Sequence, residues 1–226
     1  MTALDRPVWA SLTSYHAERA VGSGAVRRFH PDINVFLSGE DDRPETMAQA
    51  ADLVTPGSEV VVLQAQPVTR PEGFEVVMAA PAVQMVWGGG DVAPVDTRDI
   101  VRLGPEDASE MVELADLTRP GPMLARTHEM GPFWGIRIDG RLAAMAGHRM
   151  RFPGHIEVSG VCTHPDFQGR GLASHLSLHA TRKVLEQGET PFLQAWAERT
   201  GTIRLYERLG FQWRRDFHAV VLRRQG

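Results

Sequence analysis

The sequence predicts an α/β protein built on a mixed sheet, and three observations carry that reading. EVVVLQA at 59–65 is a valine-rich run closed by Pro67, as a strand should be. Asp139-Gly140 sits between two apolar runs, the strongest short signal for a hairpin. Residues 155–187 pass from a β-branched run through a glycine-rich turn into a helical pattern. With 226 residues, 42% hydrophobic and 23% charged, the chain has the composition of an ordinary globular protein. That length makes one large domain or two small ones.

In chain order, Trp9, Leu12 and His16 fall at helical spacing, and the glycines at 22 and 24 end that helix. INVFL at 33–37 reads as a short strand, and 44–54, opening with Pro44, as a helix. After the strand at 59–65, short strands follow at 74–78 and 83–87. GGGDVAP at 88–94 suits neither helix nor strand, so the main boundary is placed there. Residues 1–95 then form a smaller α/β region and residues 96–226 a second domain. In that second part, 99–103 reads as a strand. A helix at 104–117 follows, with Met111, Leu114 and Leu117 on one face and acids in its first turn. RPGP at 119–122 breaks the chain. Residues 133–138 and 141–152 form the hairpin, and Pro153-Gly154 turns into a further strand at 155–163. A helix at 171–187, a strand at 191–197, a helix at 202–210 and a strand at 217–224 complete the chain.

Composition excludes several function classes. The single cysteine, Cys162, rules out an intramolecular disulfide and a cysteine zinc site, and fits a reducing, cytoplasmic setting. Of the nine histidines only His175 and His179 share i, i+4 spacing, with no third ligand nearby, so no metal is expected. The net charge of −4 lacks the basic footprint of a nucleic-acid binder. It is uneven: residues 1–95 carry −6 and residues 96–226 carry +2. Such an acidic region would suit a cationic amine as readily as it would keep the protein soluble. No apolar run is long enough to span a membrane, and the first twenty residues lack the apolar core of a signal peptide.

The chemistry concentrates in HIEVSGVCTHPDFQGRGLASHL, from residue 155 to 176. A strand ends at Thr163, the chain turns, and Gly169-Arg170-Gly171 opens a helix. Glycines let successive backbone N–H groups converge, and the helix N-terminus adds unpaired donors and partial positive charge. Together they make a site for phosphate oxygens. The third glycine of a dinucleotide fingerprint is missing from 169–174, and the lysine of an NTPase phosphate loop is absent.

The spacing Gln168-x-x-Gly171-x-Ala173 resembles the pyrophosphate loop of the GNAT acyl-CoA-dependent N-acyltransferases. The resemblance extends over about residues 98–226 in order. The opening strand and PEDA helix, the run VCTHPDFQGRGLA, and TIRLYERLGF at 202–211 all correspond to parts of that family. It implies a GNAT fold in the second half, preceded by a region readable as a worn GNAT-like half. It also implies acetyl-CoA, or another acyl-CoA, as co-substrate and an amine as acceptor. Backbone groups of Val161, Cys162 and Thr163 would meet the pantetheine arm where the fourth strand splays from 191–197. Gln168, Gly169, Arg170, Gly171, Leu172, Ala173 and Ser174 would cradle the pyrophosphate. Tyr206 would reprotonate the leaving thiolate, pointing away from Ile203, Leu205 and Leu209 on the core side. Glu157 stands where some members place a general base. One departure is that Arg199 and Thr202 stand where many members have Asn and Ala.

The resemblance implies an N-acetyltransferase acting on a small amine or amino acid as a monomer or homodimer. Two other readings remain: an enzyme modifying protein N-termini or lysines, and a non-catalytic acyl-CoA-binding module. Cys162 reads as a small buried residue rather than a nucleophile.

Overall fold

The computed structural model describes residues 2–226. Short elements come first: α1 (Pro7–Leu12), β1 (Ala20–Val21), β2 (Val26–Phe29), β3 (Leu37–Gly39) and α2 (Pro44–Ala48). β4 (Glu59–Gln64) and the long β5 (Phe74–Trp87) follow. The second half runs β6 (Ile100–Leu103), α3 (Ala108–Thr118), β7 (Phe133–Ile138), β8 (Arg141–Phe152) and β9 (His155–Thr163). It ends with α4 (Leu172–Leu185), β10 (Thr190–Trp196), α5 (Thr200–Leu209) and β11 (Phe211–Arg224).

Strands β1 to β3 make a small antiparallel sheet. The other eight form one mixed sheet in the order β4-β11-β5-β10-β9-β8-β7-β6. All its neighbours are antiparallel except β9 and β10. The expected boundary near residue 95 falls in a loop, yet the sheet runs across it. Among the described residues β4 and β5, from the first half, are the only partners of β11, and β5 lies between β10 and β11.

Alternation along the strands divides the core between two faces. Ile156, Val158 and Leu193 pack under α4 and α5 with Leu176, Ala180, Val184 and Tyr206. On the opposite face α3 buries Met111, Leu114 and Ala115 against Phe133, Met145 and Cys162. Beside it, α1 covers Phe152, Phe192 and Phe217 together with Phe36. Each such fully buried side chain contributes about 1.5–3 kcal/mol of transfer free energy.

Several elements differ from expectation. INVFL at 33–37 is not a strand: Phe36 makes a single bridge to Val61 and only Leu37 enters β3. The helix expected at 44–54 is α-helical only to Ala48 and tightens into a 3-10 turn at Gln49–Asp52. The first helix stops at Leu12, and the hydroxyls of Thr13 and Ser14 bond back to the Trp9 and Ala10 carbonyls at its end. His16 therefore lies beyond it. The strands expected at 74–78 and 83–87 are one strand carrying Pro81 inside it. The Pro81 carbonyl accepts from Ala197 on the side where β10 ends, so its missing N–H leaves the β11 ladder intact. Finally, β11 begins at Phe211, six residues before the apolar alternation at 217–224 announces it.

Candidate active site

β9 and β10 are parallel but pair only from Thr190↔His155 to Phe192↔Glu157. Beyond that point β9 runs on to Thr163, while β10 turns to β5 alone. The two strands splay, and unpaired strand backbone faces the opening. Gly160, at φ +63°, interrupts the β8–β9 register within the splayed segment, just before the residues that line the opening. A Cβ there would stand 2.8 Å from the Phe133 ring, so glycine is required both by conformation and by space.

The opening is a cleft of about 310 Å³. Val161, Cys162 and Thr163 line it on one side, and residues 168–174 close it on another. Thr118, the last residue of α3, and Pro120 just beyond it contribute on a third side, and Arg199, Thr202, Leu205 and Tyr206 from α5 and its approach. All ten residues expected to contact the cofactor thus share one cleft with Tyr206.

Gly169 and Gly171 take positive φ angles of +77° and +74°. Neither would bring a Cβ within 4 Å of another group, so their requirement is conformational rather than steric. Gly171 caps α4, and the first helical bond formed is from His175 N–H to the Gly171 carbonyl. The N–H groups of Leu172, Ala173 and Ser174 therefore remain free at the positive end of the dipole, with neither a capping side chain nor an acid in the first turn. Arg170 stacks on Phe167 with its guanidinium 5.4 Å from the ring centre, beside the same loop. These groups can hold a phosphate anion.

Tyr206 is the buried residue of α5, 6% exposed and edge-on to Phe211. The expected order on this helix is thereby altered: Tyr206 joins the core while Leu205 lines the cleft. Burial raises the phenol pKa, and Cys162 and Glu157 push it the same way. The phenol therefore keeps its proton and is available as a donor. Burial also lifts the Cys162 thiol to about 11, which leaves it an unreactive thiol at neutral pH.

Glu157 does not line the cleft. It is 1% exposed on the face opposite α4, and both of its oxygens are engaged. Arg149 Nε donates to Oε2 at 2.9 Å and Nη2 to Oε1 at 2.8 Å, while Met150 N–H donates to Oε2 at 3.2 Å. The Arg149 guanidinium in turn lies 4.8 Å from the centre of the Phe36 ring. Sequence reasoning singled out Glu157 and overlooked Arg149. The available signal was a charged residue inside the apolar run 141–152, set near Glu157 by the Pro153-Gly154 turn.

His175 Nε2 bonds to the Asp96 carbonyl, while His179 packs on Trp134. Among the described residues no group of three or more ligating side chains could hold a metal ion. No helix there is long and apolar enough to cross a membrane.

Residues 134–220 match the FR47-like protein family. A crystal structure from Novosphingobium aromaticivorans, assigned to the GNAT family of acetyltransferases, is 42% identical, with each chain covered over 100% of its length and a TM-score of 0.93. The chain belongs to the GNAT family. A GCN5-related N-acetyltransferase from Kribbella flavida shares the GNAT fold at 20% identity, TM-score 0.64, over 100% of this chain and 97% of that one. A GCN5-related N-acetyltransferase-like protein from Streptococcus suis does so at 15% identity and TM-score 0.53, over 89% and 85%. No curated protein matches the sequence.

Proposed function

We propose that this GNAT protein transfers an acetyl group from acetyl-CoA to a primary amine of a small molecule or amino acid. One observation carries the reading: the splayed β9–β10 backbone, the free N-terminus of α4 and a protonated phenol all open onto one cleft. The loop at 168–174 and the first turn of α4 hold the pyrophosphate through backbone N–H groups. Val161, Cys162 and Thr163 offer β-strand backbone to the amide-bearing arm, which lies between the strands as an added half-strand. That placement sets the thioester beside Gly160 and Tyr206.

The reaction is direct attack. The neutral amine adds to the thioester carbonyl, a C–N bond forms, and the C–S bond breaks. The thiolate takes its proton from Tyr206, the proton released by the amine leaves to water, and the phenolate regains a proton from water, which restores the acid. Most of the acceleration is positioning of two reactants in one cleft. Glu157, with both oxygens occupied, serves to hold Arg149. A Tyr acid in the cleft favours an enzyme over a passive acyl-CoA-binding module.

Two measurements test the proposal. Calorimetry should show acetyl-CoA binding with one site per chain. Thiol release should rise when a panel of amines, amino acids and peptides is added. Absence of binding, or binding without thiol release for any acceptor, would overturn it.

A further inference from the structure

A second, much smaller cavity of about 10 Å³ lies on the other side of β9, with room for roughly one water-sized group. Pro120 lines both it and the cofactor cleft, so the two adjoin. The small cavity is walled by Arg149, Ser159, Gly160, Phe133 and the loop around Gly121.

Its polar lining is unbalanced. Arg149 spends Nε and Nη2 on Glu157, which leaves Nη1 without a partner among the described residues. Nη1 points toward Gly121: a Cβ added there would lie 3.5 Å from it. Gly121 sits between Pro120 and Pro122 at φ +144°, a conformation that keeps a side chain out of this space. Ser159 Oγ likewise has no hydrogen-bond partner among the described residues. Thr127 Oγ1, also on the wall, is already committed to the Ile33 carbonyl and Leu124 N–H. The carboxylate that holds Arg149, Glu157, has both oxygens engaged. The cavity therefore presents two unpaired donors, the Arg149 Nη1 group and the Ser159 hydroxyl, with the cation held rigid by a fork and an aromatic ring.

We propose that this cavity is the carboxylate end of the acceptor site, so that the acceptor is an amino acid. Arg149 Nη1 and Ser159 Oγ donate to one carboxylate oxygen. The amine then extends past Pro120 and Gly160 to the thioester. Glu157 fixes the guanidinium plane and lowers the net charge of the pocket. Arg149 is then a binding residue and Glu157 a positioning one. This deepens the acetyltransferase reading and rests on it.

The test compares the twenty amino acids with decarboxylated partners such as phenethylamine for phenylalanine and isoamylamine for leucine. Acetyl-CoA binding is measured on the same preparations. The expected result is an advantage in kcat/KM of about 10- to 100-fold for the acid of each productive pair, carried by KM. Arg149→Lys keeps a cation for Glu157 but loses the fork, and should erase that advantage while the KM for acetyl-CoA holds. Ser159→Ala leaves the ion pair whole and should narrow the advantage, which guards against a lysine variant that fails to fold. A merely structural role for Arg149 would lower stability without moving the ratio. Equal use of both members of each pair overturns the carboxylate site and leaves the acetyltransferase standing. Loss of acetyl-CoA binding overturns both. If acetyl-CoA binds but no acceptor turns over, calorimetry with CoA present and no heat from any amino acid also overturns the site.

Discussion

Tyr206 combines two roles that conflict in most side chains. It is packed in the core between α5 and the sheet, yet its ring borders the cleft. Burial is what suits it as a donor: a phenol whose pKa is raised stays protonated through the neutral range. The same rise limits its strength as an acid, and a thiolate is a stable leaving group, so its help is useful without being indispensable. Tyr206→Phe should therefore preserve the fold and acetyl-CoA affinity while slowing the chemical step about 10- to 10³-fold. Single-turnover rates give the comparison under conditions where chemistry limits. A wild-type rate in the variant would make Tyr206 a packing residue alone. The sequence placed this tyrosine one residue from Leu205 but assigned the core to Leu205. Helical spacing orders the faces of α5 without saying which face meets the sheet.

At the scale of elements, β9, the following loop and α4 were legible almost residue by residue, because their signals are local. Glycines at 169 and 171 specify backbone that other residues resist, and the alternation in 155–163 needs no distant partner to be read. The Arg149–Glu157 pair was not legible, since its geometry depends on two register shifts between β8 and β9. Gly171 offers the sharpest test of the loop. With φ +74° and open space around it, Gly171→Ala introduces strain rather than collision. That strain, of order 1 kcal/mol or more, can be relieved by rotating the peptide unit that opens α4. Relief by that route turns N–H donors away from the phosphate site. The expected outcome is a small loss in Tm and a weakening of acetyl-CoA binding by about tenfold or more in calorimetry. Unchanged affinity would remove the loop from the cofactor site.

At the scale of the whole molecule, the two halves are joined by buried groups and by shared strands. His16 of the first half bonds to Ser11 Oγ and to the Met130 carbonyl of the second. Within the second half, His148 of β8 bonds to the Ala180 carbonyl of α4. Burial holds both imidazoles near pKa 4. An unfolded chain would take up these protons below about pH 6.5, before the folded one does. Stability therefore rises with pH, is full above about pH 7, and is lost between about 6.5 and 4, by roughly 3 kcal/mol for each histidine. Tm should fall steeply over that window, and His16→Asn should flatten the slope; a level Tm would show the imidazoles are not buried as described. The shared strands make a stronger demand. A boundary near residue 95 was a fair inference from GGGDVAP, because pairing between distant strands leaves no local mark in a sequence. Yet β11 has no partner within residues 96–226, since β4 and β5 flank it on both sides. Removing the first half would strand Phe211, Phe217, Ala219 and Leu222, all buried now, and would strip β10 of the neighbour it keeps after parting from β9. The site's opening thus depends on a strand from outside the region that carries its motifs. Residues 96–226 expressed alone should show no cooperative urea transition and no acetyl-CoA binding, and co-expression with residues 1–95 should restore both. A sharp transition with intact binding in the isolated second half would mean that the sheet closes without β5, and that the first half is an accessory rather than part of the fold.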